Sequence, residues 1–208
     1  LTRGKMGMRL MPVMQSPPGA YTVIDGRRYL YFVGTGYLGL QGHPEVIRAA
    51  CEAMHRFGVG TATSRTGFGD CPPTLDVERL AAQLFGTEEA FYFTSGYVGN
   101  HILALAIEDT FDAVFVDEWS HYCVFEAARL PAWPGFPFRH RNADDLRVSL
   151  KANLPSRGRP LVLTDGVFAA RGEIAPGADF ADVLSEFPGA ILSIDDAHGL
   201  ATPGINGR

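Results

Sequence analysis

Ala190-Ile191-Leu192-Ser193-Ile194, an apolar run closed by Asp195-Asp196-Ala197-His198-Gly199, is the stretch on which the fold turns. The run shows no alternation of polar and apolar residues, so it reads as a strand covered on both faces. Its polar carboxyl end places charge where open α/β sheets bind ligands. Working back along the chain, similar runs occur at 161–164 (Leu-Val-Leu-Thr), 113–116 (Ala-Val-Phe-Val) and 89–94 (Glu-Ala-Phe-Tyr-Phe-Thr), with a weaker one at 136–140. Helical patterns at 97–108, 121–130, 143–152 and 179–187 lie between or beside them, and Asn142 stands where a helix cap belongs. The alternation predicts a three-layer α/β/α fold around a mostly parallel sheet. Thr94-Ser95-Gly96, Asp117-Glu118 and Asp165-Gly166 follow strand runs and Asp195 ends one, so four strand ends converge on one edge.

The N-terminal part reads differently. Tyr21-Thr22-Val23-Ile24 and Arg28-Tyr29-Leu30-Tyr31-Phe32 flank Asp25-Gly26, a strong hairpin signal. A Gly-rich stretch from Gly34 to Gly42 precedes a helical pattern from Pro44 to Phe57, stopped by Gly58. Residues 58–73, punctuated by glycine and proline, predict a long loop of the kind usually functional or disordered. Thr74 is then expected to cap a helix carrying Leu75, Leu80, Leu84 and Phe85, ended by Gly86. This divides the chain into an N-terminal hairpin segment, 1–42, and a larger α/β part, 43–208.

Composition narrows the function classes. A net charge of -5 leaves no basic excess to displace phosphate counterions, which argues against nucleic-acid binding. No apolar run reaches the length of a membrane span. Cys51, Cys71 and Cys123 lie far apart without a paired spacing, as expected of reduced thiols in a cytoplasmic protein, with Cys51 a small core residue and no metal bound.

Individual residues at the predicted edge leave alternatives open. Ser95-Gly96-Tyr97 lies between a strand and a helix, where unpaired N–H groups suit a phosphate, although Ser95 could be only a cap. Asp195, closing a buried strand, needs a cationic partner; a protonated pyridine nitrogen or an arginine would serve. His121 could stack on a planar ring or cap a helix, and His198 could turn towards the same place. Arg65 could bind an anion or sit solvated in its loop.

The order of these residues is more specific than any one of them. Tyr37-Leu38-Gly39-Leu40 with His43-Pro44, Gly86-Thr87-Glu88-Glu89-Ala90 through Thr94-Ser95-Gly96-Tyr97 and Asn100, and Asp117 with Ser120-His121 form one series. Asp165-Gly166-Val167-Phe168 with Gly172 and Ala175-Pro176, then Asp195-Asp196-Ala197-His198-Gly199, Gly204 and Asn206-Gly207-Arg208, complete it. Over residues 20–208 the series resembles the α-oxoamine synthases, pyridoxal phosphate enzymes of fold type I. The resemblance implies the large domain of an aspartate aminotransferase-like transferase, present here only in part, with pyridoxal 5′-phosphate as cofactor. It implies that Gly96 and Tyr97, with Ser95, receive the phosphate and that His121 covers the ring face. Asp195 would pair with the ring nitrogen, and His198 would hydrogen-bond the phenolic oxygen. His121, Asp195 and His198 would be the catalytic set. The implied reaction joins an amino acid to an acyl-CoA, usually with loss of carbon dioxide, in a cytoplasmic homodimer. An aminotransferase of the same fold and a non-catalytic partner subunit stand as alternatives.

Departures accompany the resemblance. Lys5 and Lys151 are the only lysines, neither at a position expected of the family's Schiff-base lysine, so the 208 residues are expected to be a piece of a longer chain and inactive alone. Thr35, Ala169 and Arg171 replace an amide, a hydroxyl and an acid of the family pattern, and Arg171 hints at an anionic substrate group or a surface role.

Overall fold

The computed structural model describes residues 11–130 and 133–202. The chain forms two compact units, Leu1–Tyr92 and Phe93–Arg208. Lys5, Gly204 and the Asn206-Gly207-Arg208 segment lie outside the described residues.

In the first unit, β1 (Tyr21–Ile24) and β2 (Arg27–Leu30) pair antiparallel with Ile24 opposite Arg27. Asp25 and Gly26 between them both have positive φ, 48° and 76°, the mirror-image turn whose twist matches that of the strands. Helix α1 spans Pro44–Phe57, as expected, and α2 spans Pro72–Phe85. Thr74 does not cap α2. Cys71 holds that position, and Pro72 and Pro73 fill the first turn, where a missing N–H costs nothing and a fixed φ is already helical. Cys51 is exposed rather than a core residue, because neither α1 nor α2 fully buries any side chain within the described structure. The loop after α1 is organised by Arg65. Its guanidinium forks onto Glu78 at 2.6 and 3.0 Å and donates to Asp70 at 2.6 Å and to the carbonyl of Tyr92 at 3.2 Å. Glu78 also accepts the Tyr92 N–H at 2.7 Å. These donors hold the Glu78 carboxyl down at about 2. Arg65 ties loop to helix.

The second unit carries the sheet. A short 3-10 turn, Gly96–Val98, leads into α3 (Gly99–Ala106), followed by β3 (Ala113–Asp117), α4 (Tyr122–Ala127) and β4 (Gly135–Phe138). Then come α5 (Ala143–Asn153), β5 (Pro160–Asp165), the small ribbon β6 (Val167–Phe168) with β7 (Glu173–Ile174), α6 (Gly177–Leu184) and β8 (Ile191–Asp195). The order is β4-β3-β5-β8, all parallel. Alternate residues of each strand feed opposite layers. Val114, Val116, Leu161 and Leu163 pack with Ala104 of α3 and Val124 and Ala127 of α4. Phe115, Val162 and Phe138 pack with Leu146 and Leu150 of α5 and Phe180 and Val183 of α6. The three-layer α/β/α expectation holds, and the uninterrupted apolar strands follow from it.

One expected strand is missing. Residues 89–94 form no ladder with any described residue, and Phe91 is 64% exposed. A strand exists only where its N–H and C=O groups meet a neighbouring strand; here the N–H and C=O of Tyr92 meet the side chains of Glu78 and Arg65 instead.

Asn142 caps α5 as expected, its side chain accepting the Asp145 N–H at 2.8 Å. Asn142→Ala should therefore cost about 1 kcal/mol, read as a lower urea midpoint with an unchanged slope.

Candidate cofactor site

The chain reverses direction across the sheet at β3. Strand β4 lies on one side of β3 and β5 on the other, which opens a crevice beyond their carboxyl ends. Three aspartates end the strands there: Asp117 on β3, Asp165 on β5 and Asp195 on β8. The ladder sets Asp165 directly beside Asp195.

His121 follows β3 and caps α4, its Nδ1 accepting the Cys123 N–H at 3.3 Å. Capping and ring stacking, weighed as alternatives from sequence, are compatible: the imidazole caps through one edge and remains exposed. Its backbone N–H donates to Asp165 Oδ2 at 3.0 Å, and the Cys123 sulfur lies 3.0 Å from Nδ1. Asp195 is held by Asn100 Nδ2 at 2.8 Å on one oxygen and by the Ala197 N–H at 3.1 Å on the other. The structure thus brings His121 and Asp195 into one network through Cys123, whose sulfur also lies 3.9 Å from Asp195 Oδ2, and through Asn100, which donates to both Cys123 and Asp195. Burial, with the charge of Asp195 adding to it, pushes the Cys123 thiol up, so it stays protonated and able to donate.

Ser95, Gly96 and Tyr97 lie at the entry to α3, with Ser95 extended and making no side-chain cap. A side chain built at Gly96 would meet open space. The Tyr97 ring stands edge-on to His121, centroids 6.3 Å apart, and its hydroxyl donates to Glu126 at 2.7 Å. His198 sits half-buried in the turn after β8, its carbonyl accepting the Thr202 hydroxyl at 2.6 Å.

Asp117 belongs to the scaffold. Fully buried, it accepts the N–H groups of Trp119 and Arg141 and lies 2.8 Å from His140 Nδ1. His140 also meets Glu173 at 3.1 Å and stacks under Trp119 at 4.3 Å. Arg171 covers the other side of Trp119 at 3.5 Å. That stack walls a cleft of about 660 Å³, bounded further by His121, Tyr122, Phe125, Arg129 and Phe168.

Two buried polar atoms at this site have no hydrogen-bond partner among the described residues, Asp165 Oδ1 and Ser120 Oγ. Carboxylates at the crevice floor, an exposed imidazole and unused polar atoms fit a flat heterocycle carrying a protonated nitrogen.

The aminotransferase class I and II family model matches residues 35–205. The chain belongs to that family. Its fold is that of the pyridoxal phosphate-dependent transferases. An 8-amino-7-oxononanoate synthase from Geotalea daltonii is 35% identical over 200 residues, covering 96% of this chain and 51% of the relative. Among solved structures, a serine palmitoyltransferase from Sphingomonas wittichii superposes with a TM-score of 0.85 at 30% identity, covering 95% of this chain and 49% of that one. Another, from S. paucimobilis with a bound PLP–myriocin aldimine, gives 0.84 at 29% identity, covering 95% and 50%. This family member therefore spans about half the length of the relatives it matches. The α-oxoamine synthase resemblance carried by its motifs is borne out by these relatives.

The sequence assigned no role to Asp165 and did not single out Cys123; Asn100 appeared only as a matched motif residue. Asn100 carried a local signal: it is a lone amide at the start of the apolar helix Gly99-Asn100-His101-Ile102-Leu103. Cys123 carried none, since a thiol in the first turn of a helix reads as core.

Proposed function

We propose that this site holds pyridoxal 5′-phosphate and that the whole protein condenses an amino acid with an acyl-CoA. The observation that carries the reading is the junction at the β3, β5 and β8 ends, where His121 and Asp195 share one network. Asp195 would pair with the ring nitrogen, His121 would cover the ring face, Ser95, Gly96 and Tyr97 would receive the phosphate, and His198 would reach the phenolic oxygen. When bound, the cofactor supplies an electron sink for charge developing at the amino acid α-carbon. The residues orient it: Asn100 and the Ala197 N–H fix the Asp195 carboxylate, and Asp165 fixes the backbone of His121.

The cleft beside His121 supports acyl transfer over amino transfer. Its wall combines aromatic surface with Arg129 and Arg171, which suits an extended apolar group carrying anionic substituents. A cytoplasmic homodimer is part of the same proposal, an expectation drawn from the family resemblance; no helix among the described residues is long and apolar enough to cross a membrane.

In a chain of the relatives' full length, CoA release from an acyl-CoA should depend on added glycine, alanine or serine. Amino transfer to a keto acid without CoA release would overturn the reading. The 208 residues alone should bind the cofactor without a borohydride-reducible protein–cofactor bond. Lys151, which projects from α5 towards Glu186 at 3.6 Å, is a surface residue and cannot supply it.

A further inference from the structure

The three aspartates that end the strands are not equivalent. Asp117 accepts from three groups of its own unit, and each oxygen of Asp195 has a donor. Asp165 is only 7% exposed, yet Oδ2 takes a single N–H, from His121, and Oδ1 has no partner among the described residues. An unpaired buried carboxylate oxygen is costly. Such groups persist where a ligand completes them.

We propose that Asp165 is a second ligand-facing carboxylate of this site, with Oδ2 fixing the backbone of His121 and Oδ1 facing the positive charge of a protonated ring nitrogen beside Asp195. The inference rests on the cofactor reading above. Its geometry comes from the ladder: Asp165 and Asp195 occupy paired positions on adjacent parallel strands, so both side chains leave the same face about 4.8 Å apart. Two carboxylates at that separation repel, and a cation between them relieves the repulsion.

The groups facing Asp165 are Asp117 from β3, His121 and Cys123 from α4, and Asp195, with Asp196 next to it, from β8. Burial raises the Asp165 carboxyl from its ordinary 3.8 to about 6; the His121 N–H opposes this and the charges of Asp195 and Asp117 add to it. A bound cation favours the ionised form, so binding at or below that pH should expel a proton from Asp165. In the unliganded protein the sign follows from the raised value. Folded Asp165 keeps its proton where the unfolded chain has lost it, so its contribution to stability is present near pH 3.8 and is lost as pH rises to about 6.

The test uses the 208-residue chain, pyridoxamine 5′-phosphate as probe, and titration calorimetry in buffers of different ionisation heat. Asp165→Asn should bind about tenfold more weakly near pH 8. It should also lose the wild type's extra proton release near pH 5.5, the probe's own phosphate titration cancelling in the comparison. Nitrogen-15 NMR of labelled probe should show its ring nitrogen shifting towards the neutral form in the variant. Thermal stability of the unliganded variant should equal or exceed the wild type's. Asp165→Glu, which keeps the charge, should retain the proton release and decides the matter if the asparagine variant does not fold. Equal affinity and an unmoved nitrogen resonance in Asp165→Asn would overturn the proposal. Weaker binding with an unmoved resonance would also overturn it, leaving Asp165 as a support for His121 alone. A wild-type chain that does not bind the probe sinks both this inference and the cofactor reading, whereas an unaffected variant of a binding wild type sinks only this one.

Discussion

Asp195→Asn is expected to weaken binding of pyridoxamine 5′-phosphate by roughly 100-fold or more while the protein stays folded. The substitution keeps the shape of the side chain and removes its charge. Two protein donors, Asn100 Nδ2 and the Ala197 N–H, already point at the carboxylate and fix its direction. An amide there satisfies at most one of them through its oxygen and turns its own NH₂ towards Asn100 or the ligand. The ring nitrogen then loses its counter-charge in a site where water screens poorly, and truncating one partner of such a pair leaves the other uncompensated. The loss should exceed that of Asp165→Asn, because Asp195 would be the principal counter-charge of the ring nitrogen and Asp165 a second one. Fluorescence or calorimetric titration gives the affinity, and far-ultraviolet circular dichroism checks the fold. Retention of wild-type affinity would remove Asp195 from the site.

The second large effect concerns stability. Phe138→Ala should cost about 3–5 kcal/mol in urea denaturation, enough to unfold a domain of ordinary stability. Phe138 is 1% exposed and meets Phe180 edge to face, ring centroids 5.5 Å apart, joining β4 to α6 in one layer of the core. It also lies beside Asp117 in the ladder, so its loss reaches the strand that carries the crevice. Phe32, 87% exposed, is the control: Phe32→Ala should change stability by no more than about 0.5 kcal/mol. Similar losses for both would contradict the assignment of the core.

The sheet was legible at its centre because β3 and β5 are buried throughout, which leaves apolar runs at 113–116 and 161–164; β8 keeps the apolar run at 190–194 although it is only partly buried. The same signal misled at 89–94, where the backbone of Tyr92 bonds side chains rather than a neighbouring strand; apolarity records a tendency, whereas a strand requires a ladder. At α2 the two prolines, which fit a first turn without cost, mark the helix start more strongly than the hydroxyl of Thr74. The site was legible in part for a related reason. His121 and Asp195 stand at positions where strand and helix ends put chemistry. Asp117 and Asp165, however, look alike in sequence, each an acid closing a strand. Only their folded partners separate them: Trp119, His140 and Arg141 satisfy Asp117, while nothing described reaches Oδ1 of Asp165.

The pairing of Leu163 with Ser193 and of Asp165 with Asp195 makes the sheet a ruler for the crevice. Side chains alternate between faces along a strand, so sliding β8 past β5 by one residue would send Asp195 to the opposite layer and bring Ile194 or Asp196 into its place. A slide of two would restore the face but set Ser193, which bears no charge, beside Asp165. Backbone hydrogen bonds that know nothing of the ligand therefore set the distance between two negative charges to the repeat of a parallel ladder. β8 lies at the edge of the described sheet, paired on one side only. Whatever secures that edge strand also calibrates the charge spacing, and a change that loosens it would blur ligand recognition without touching a single ligand-facing atom.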